Sequence, residues 1–488
     1  MSAIDRREFF RIAGVGTGAI LAGCTPVRTR ATPRSTHIVV VGAGAFGGWT
    51  ALNLQRQGAR VTLVDMYGPG NSRSTSGDET RGIRTSYGDR PHGELWMQWA
   101  NTAIGRWKEF DTEYSRPHSP QLFFTTGDLI MRSDWEPFLT QTRSWWQKNN
   151  IAHETLDVGE VKKRWPQIHV DDITAVLYEP NAGVVRARRA TQAVAEVFEN
   201  EGGRIVIARV VPPEPGSWDG HTLRFVNGDT ITGDAFVFAV GPWLGKTFPF
   251  MQNRMRTPIG TVLYFGTPPG DQRFTYPNLP SWNLPGTTGW ASLPIDNRGF
   301  RVRGGGGGGN APRPATATAN QTANPTANPT ANPTANPVAQ PVAAGNTPAR
   351  GTNPPAQSAS QSGLADPDAS VRWVEGERLT RTVQFVTERF PLLKDAPILQ
   401  TWACHYESTS SRNFIIDQHP NLPNVWIAGG GNAEAFKMGP VLGEYIARRI
   451  LGDEGDPAVA AQFRIPGTEY APPAPTAAAT QRPGEGED

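Results

Sequence analysis

The chain has 488 residues, 47 Lys+Arg against 45 Asp+Glu for a formal net charge of +2, and 38% hydrophobic residues. That length exceeds what one hydrophobic core serves, so two or three domains are expected, and the balanced charge argues against a nucleic-acid binder, which shows a basic excess or stripe. The 8 His are scattered, the two cysteines (Cys24 and Cys404) form no CxxC pair and no GxSxG occurs, so neither a metal site nor a serine hydrolase is expected.

The first 23 residues read as a signal rather than as part of the fold. Arg6 and Arg7 form a twin-arginine pair, followed by Phe9, Phe10 and an apolar run from Ile12 to Gly23. That run is too short to span a bilayer as a helix. Leu21-Ala22-Gly23-Cys24 resembles the bacterial lipoprotein cleavage box. The resemblance implies export of the folded chain through the twin-arginine machinery, cleavage before Cys24 and lipidation of its thiol. The expected location is extracytoplasmic, anchored to the membrane by lipid. Cys404 is then the only free thiol, and no intramolecular disulfide forms. Residues 24–35 read as a polar tether.

The fold begins at His37. Ile38–Val41 is a β-branched run that reads as a buried strand, Phe46–Gln57 has helical composition, and Val61–Val64 is a second strand. Between the first two lies Gly42-x-Gly44-x-x-Gly47. The first glycine allows the tight turn, the second the approach of a pyrophosphate, and the third close packing of helix on strand. The helix start then offers free N–H groups and a partial positive charge to phosphates, and Asp65 falls where an acid accepts ribose hydroxyls. Strand, glycines, helix, strand and acid in this order predict adenine-dinucleotide binding, without distinguishing NAD from FAD.

Further on, Ala187–Asn200 reads as a helix, Arg204–Val211, Ala235–Val240 and Val425–Ala428 as strands, and Val441–Leu451 as the last helix. An α/β sheet assembled from distant segments follows. Gly304–Gly363 opens with six glycines and continues with four TANP units, and residues 468–488 are rich in Pro and Ala. Such sequence cannot bury enough apolar surface to fold, so residues 304–363 are expected to be a disordered insertion in a surface loop and 468–488 a disordered tail.

Three stretches carry a family resemblance beyond the cradle: "GPGNSRSTSGDETRGIRTSYGD", "TWACHYESTSSRNFIIDQHP" and "NVWIAGGGNAEAFKMGPVLGE". Together they resemble the D-amino-acid oxidase superfamily, in its monomeric sarcosine oxidase and N-methyltryptophan oxidase branch. The resemblance implies a Rossmann-type FAD-binding domain built from residues 36–90, 180–255 and 395–455. A second, substrate domain with a mixed or antiparallel sheet would take 91–179 and 256–394. It implies oxidation of an amino acid or secondary amine by hydride transfer to flavin, with O2 as the usual acceptor giving H2O2.

Residue by residue, the resemblance places FAD against Gly42, Gly44, Ala45, Phe46, Gly47 and Asp65, and also against Arg81, Val210, Gly430 and Lys437. It places a covalent flavin link at Cys404, with Arg81, Arg412 or His405 as the nearby positive charge that favours a thiolate. Arg84 and Lys437 would grip the substrate carboxylate. Tyr406 and Trp290 would line the pocket, and Arg301 stands where the family carries an oxygen-activating lysine. Glu434 replaces a pocket histidine, and Ser74, Thr75 and Ser76 occupy the place of a histidine pair. Against the oxidase stand two alternatives: a membrane-tethered dehydrogenase passing electrons to a quinone or carrier, and a flavin-carrying module without catalysis.

Overall fold

The computed structural model describes residues 36–114, 119–294, 298–304, 365–453 and 455–470. Cys24, the signal, the TANP segment from Gly305 and the tail from residue 471 lie outside the described residues. Among those described, two large sheets face one another. The first has six strands in the order Ile415–Gln418, Val425–Gly429, Ala235–Phe238, His37–Val41, Arg60–Asp65 and Arg204–Ile207. All neighbours in it run parallel except the first pair.

Its strands are apolar on both sides because both faces are covered. Ile38 and Val40 point into a core with the helices Ala45–Arg56, Ala187–Asn200 and Gly439–Ile450, whereas Val39 and Val41 point to the opposite core with Leu223, Phe225 and Phe248. A three-stranded meander, Val210–Val211, Thr222–Phe225 and Thr230–Thr232, covers that second face. The single strand expected over Arg204–Val211 is therefore two: it stops at Ile207 and re-forms in the meander.

The second sheet has eight strands in the order Ile398–His405, Ile259–Phe265, Phe300–Gly304, Thr287–Trp290, Ser281–Leu284, Asp128–Arg132, Ala175–Glu179 and Glu154–Leu156. It is antiparallel but for the pair Ser281–Leu284 and Asp128–Arg132. One face packs under the helix Gly376–Arg389, and the other roofs the cleft. The helix Gly93–Tyr114 buries Trp96, Met97 and Trp107 in the core of the first sheet, while Ile398–His405 pairs with the second. The sequence spans 91–179 and 395–455 thus each divide between the two sheets, because pairing over long separations decides where their elements dock. No described helix is long and apolar enough to cross a membrane.

Candidate active site

A continuous cleft of about 1740 Å3, open mouth included, runs between the sheets from the glycine turn to the roof strands. At one end Gly42 has φ +102°, and a Cβ there would stand 2.3 Å from the Ala239 carbonyl oxygen. A Cβ on Gly47 would stand 1.8 Å from the Gly42 oxygen. Gly47 lies back from the cleft lining, and its part is to seat the helix on the strand. A Cβ on Gly44 would meet only Ser76 Oγ, at 3.3 Å, so its face toward the cleft is open. Asp65 ends its strand at the turn. Its Oδ2 accepts from Ala43 N–H and its Oδ1 from Tyr67 and Gly68 N–H, each at 2.8 Å. Burial raises its pKa against the pull of those three donors. Ser76 Oγ accepts from Ala45 N–H at 3.0 Å. Ala45, Phe46 and Val210 line the cleft, whereas Gly430 lies behind it and gives its N–H to Glu407 at 3.1 Å.

The roof is organised by Asp78, 1% exposed. One oxygen takes both Arg81 Nη1 and, at 2.6 Å, Arg301 Nη2; the other accepts from Tyr264 Oη at 3.1 Å. Burial opposes its ionisation, but the two guanidiniums outweigh that and hold the carboxyl far below its usual range. Arg81 also points Nη2 at Cys404 Sγ, 3.2 Å away. Cys404 is 5% exposed and lines the cleft. The other two candidates for charge beside the sulfur fall away. His405 points to the opposite side of its strand, where burial and Arg372 lower its pKa to about 4, and Arg412 engages Asp89. Arg301 is stacked over the Trp290 ring at 4.2 Å, and its Nε and Nη1 are buried without a hydrogen-bond partner among the described residues.

Beyond Cys404 lie the other predicted site residues. Arg84 has one ion pair, Nε to Asp128 at 3.9 Å. Lys437 is bonded to Glu434, which also takes Arg90 Nη2 at 2.9 Å. Burial would raise the Glu434 pKa, yet Lys437, Arg90 and Arg84 bring it down to about 2. Burial together with Arg84 and Arg90 lowers the Lys437 pKa to about 8 against the pull of Glu434. Lys437 is therefore not a free point charge waiting for substrate. Tyr406 lines the cleft under the Arg303 guanidinium. Asp78, Arg303 and Glu407 were not singled out by sequence reasoning. Asp78 stood in a quoted motif, but its arginine partner is 223 residues away, and no spacing signals that.

A family model for FAD-dependent oxidoreductases, DAO, matches residues 37–449. The chain belongs to the DAO family of FAD-dependent oxidoreductases. Among curated relatives, a monomeric sarcosine oxidase from Bacillus sp. is 28% identical over 43% of this chain and 53% of its own length. The match thus spans about half the length of that enzyme. An N-methyl-L-tryptophan oxidase from Citrobacter koseri is 22% identical over 84% of this chain and 93% of its own length. Among solved structures, L-proline dehydrogenase from P. horikoshii superimposes with a TM-score of 0.63 at 19% identity, covering 89% of this chain and all of that one. Glycine oxidase from Bacillus cereus gives 0.62 at 15%, covering 89% and 100%.

The DAO-family cofactor fits the residues present. The glycine turn has the open approach and helix start that a pyrophosphate needs, Asp65 borders it, and the cleft runs from there to Cys404 without a break. Arg301 Nε and Nη1, without a hydrogen-bond partner among the described residues, leave donors for a polar group held in the cleft.

Proposed function

We propose that this DAO-family chain oxidises the C–N bond of an amino acid or secondary amine, the imine product then hydrolysing to a carbonyl compound and an amine. Arg84 carries the reading. It lies in the cleft with its only described carboxylate contact on Nε at 3.9 Å, which leaves its Nη fork for a substrate carboxylate. Bound FAD supplies a two-electron acceptor for the hydride equivalent leaving the C–H beside nitrogen. Trp290 walls the reacting region with an apolar face, and Tyr406 offers a hydroxyl to orient the amine. The sarcosine and N-methyltryptophan named for the relatives carry the carboxylate beside an amine that Arg84 would address. Anaerobic addition of N-methyl and primary amino acids tests it: at least one bleaches the yellow holoprotein, and a panel in which none does refutes the reading.

We infer that Cys404 Sγ holds the cofactor covalently, supported by the Arg81 cation at 3.2 Å, which stabilises negative charge on sulfur. For the electron acceptor, O2 is supported by the Arg301 charge in the roof. A quinone or carrier is favoured by that charge being already tied to Asp78. One H2O2 per amine oxidised at air saturation selects the first. Arg6-Arg7 and the Leu21–Cys24 box support export and lipid anchoring; Cys24→Ala then moves the protein out of the membrane fraction.

A further inference from the structure

The strand Phe300–Gly304 alternates. Phe300 and Val302 are fully buried in the core under the helix, while Arg301 and Arg303 line the cleft. The two arginines differ in their counter-charges. Arg301 has Asp78. Elsewhere in the cleft Arg81 shares that same aspartate, Arg84 has Asp128, and Lys437 has Glu434. Arg303 alone of these has no carboxylate within 4.0 Å and no hydrogen bond among the described residues.

Its guanidinium is nonetheless held in place. On the neighbouring strand Gly260 leaves room for it: a Cβ there would stand 3.3 Å from Nε and Nη2. The Tyr406 ring lies 5.3 Å from its central carbon. A half-buried guanidinium beside a glycine and an aromatic ring, with no hydrogen-bond partner among the described residues, is suited to receive an anion. Across the roof, Arg84 Nη1 and the Trp290 ring flank the same point above Gly82, at 3.4 and 3.2 Å. Trp290 lies opposite Arg301, and Thr288 opposite Arg303. Arg303 is therefore one strand repeat, about 7 Å, beyond the Arg301 and Trp290 pair.

We propose that Arg303 forms a second anion subsite and that the substrate is a dicarboxylate amine: an amino acid, or an N-substituted one, with a second carboxylate beyond the one Arg84 holds. The amine rests on the oxidation reading above; the subsite does not. Of the roof cations, Arg81 and Arg301 share Asp78, Arg84 pairs with Asp128 and Lys437 with Glu434, and Arg303 is left without a carboxylate among the described residues. A second substrate carboxylate would supply the counter-charge that Arg303 lacks.

The test is equilibrium titration of the yellow holoprotein, read by flavin absorbance, with inert acids: acetate and propionate against succinate and glutarate. Wild type binds the better dicarboxylate at least about tenfold more tightly than the monocarboxylates, the scale of a charge-assisted bidentate contact. Arg303→Gln loses that advantage while monocarboxylate affinity moves by less than about twofold, and Arg303→Lys recovers part of it. Equal binding of both acid classes by wild type, or an equal loss of both in Arg303→Gln, overturns the subsite. So does loss of flavin from Arg303→Gln, which would assign the guanidinium to the cofactor. If dicarboxylate binding depends on Arg303 but no amine bleaches the flavin, the subsite stands and amine oxidation falls. If amines bleach it without such dependence, the reverse holds.

Discussion

Glu179 shows how burial prepares the ground for Arg84. It is fully buried beside Asp128, taking the Thr85 N–H at 3.0 Å and the Thr85 hydroxyl at 2.8 Å. Burial pushes its pKa up to about 7, only partly offset by those two donors and Arg84. Wherever Glu179 is protonated, below about pH 7, it leaves the Arg84 charge to the substrate. The raised value also fixes a pH dependence. Between its unfolded pKa, about 4.3, and about 7 the folded state holds a proton that the unfolded state has lost. Glu179 thus contributes stability that is full below pH 4.3 and fades as pH rises to 7 and above. Glu179→Gln keeps the shape and both hydrogen bonds without the ionisation. We expect its melting temperature to exceed wild type at pH 8, by up to about 4 kcal/mol in stability, and to converge on it at pH 4 and below. Equal melting profiles against pH for both proteins contradict it. No sequence pattern marks Glu179, since its environment comes from a strand pairing with Asp128–Arg132 and from Thr85. Gly42, Gly44 and Asp65 were legible because their spacing is a signature within one βαβ unit, although the Ala239 oxygen that crowds Gly42 comes from a distant strand.

At the level of elements, local signals placed what local forces determine. The helix Ala187–Asn200 stands where its pattern put it, and Ala45–Arg56 and Gly439–Ile450 differ from the expected bounds by one or two residues. The last begins earlier because Pro440 suits a first helical turn. The eight-stranded sheet was expected only as a type. Its roof is assembled by Ile259–Phe265 pairing with both Phe300–Gly304 and Ile398–His405. Contacts of that separation leave no trace in a single sequence, and they are what set Arg301 and Cys404 on one surface. One packing detail has a testable sign. Gly443, inside a helix, would ordinarily gain about 0.5–1 kcal/mol on change to Ala. Here a Cβ would stand 2.4 Å from Trp49 Cβ and 2.5 Å from its backbone carbonyl carbon. The clash is with backbone, so the helices must part. Gly443→Ala is expected to destabilise by about 1–3 kcal/mol, seen as a lower melting temperature. A rise would mean the two helices lie further apart than described.

For the molecule as a whole, the cofactor cleft lies between the sheets, so anything filling it fastens one to the other. A ligand bound only to the folded state stabilises it by RT ln(1 + [L]/Kd), which makes melting depend on concentration when the ligand can leave. A thioether at Cys404 removes that dependence, because the cofactor remains in effect intramolecular at any dilution. Wild-type holoprotein should therefore melt at one temperature from about 10 μM to 0.1 μM. Its colour should stay in the pellet after acid precipitation. Cys404→Ala, carrying FAD reversibly, should lose about 1.4 kcal/mol for each tenfold dilution while free FAD still exceeds its Kd, a drop of a degree or more per decade. Excess FAD should restore it, and acid should leave the yellow in the supernatant. Wild type that loses stability on dilution and releases its colour into acid would show that Cys404 makes no bond. The sulfur beside Arg81 would then be a packed thiol, with the two sheets held by a dissociable cofactor.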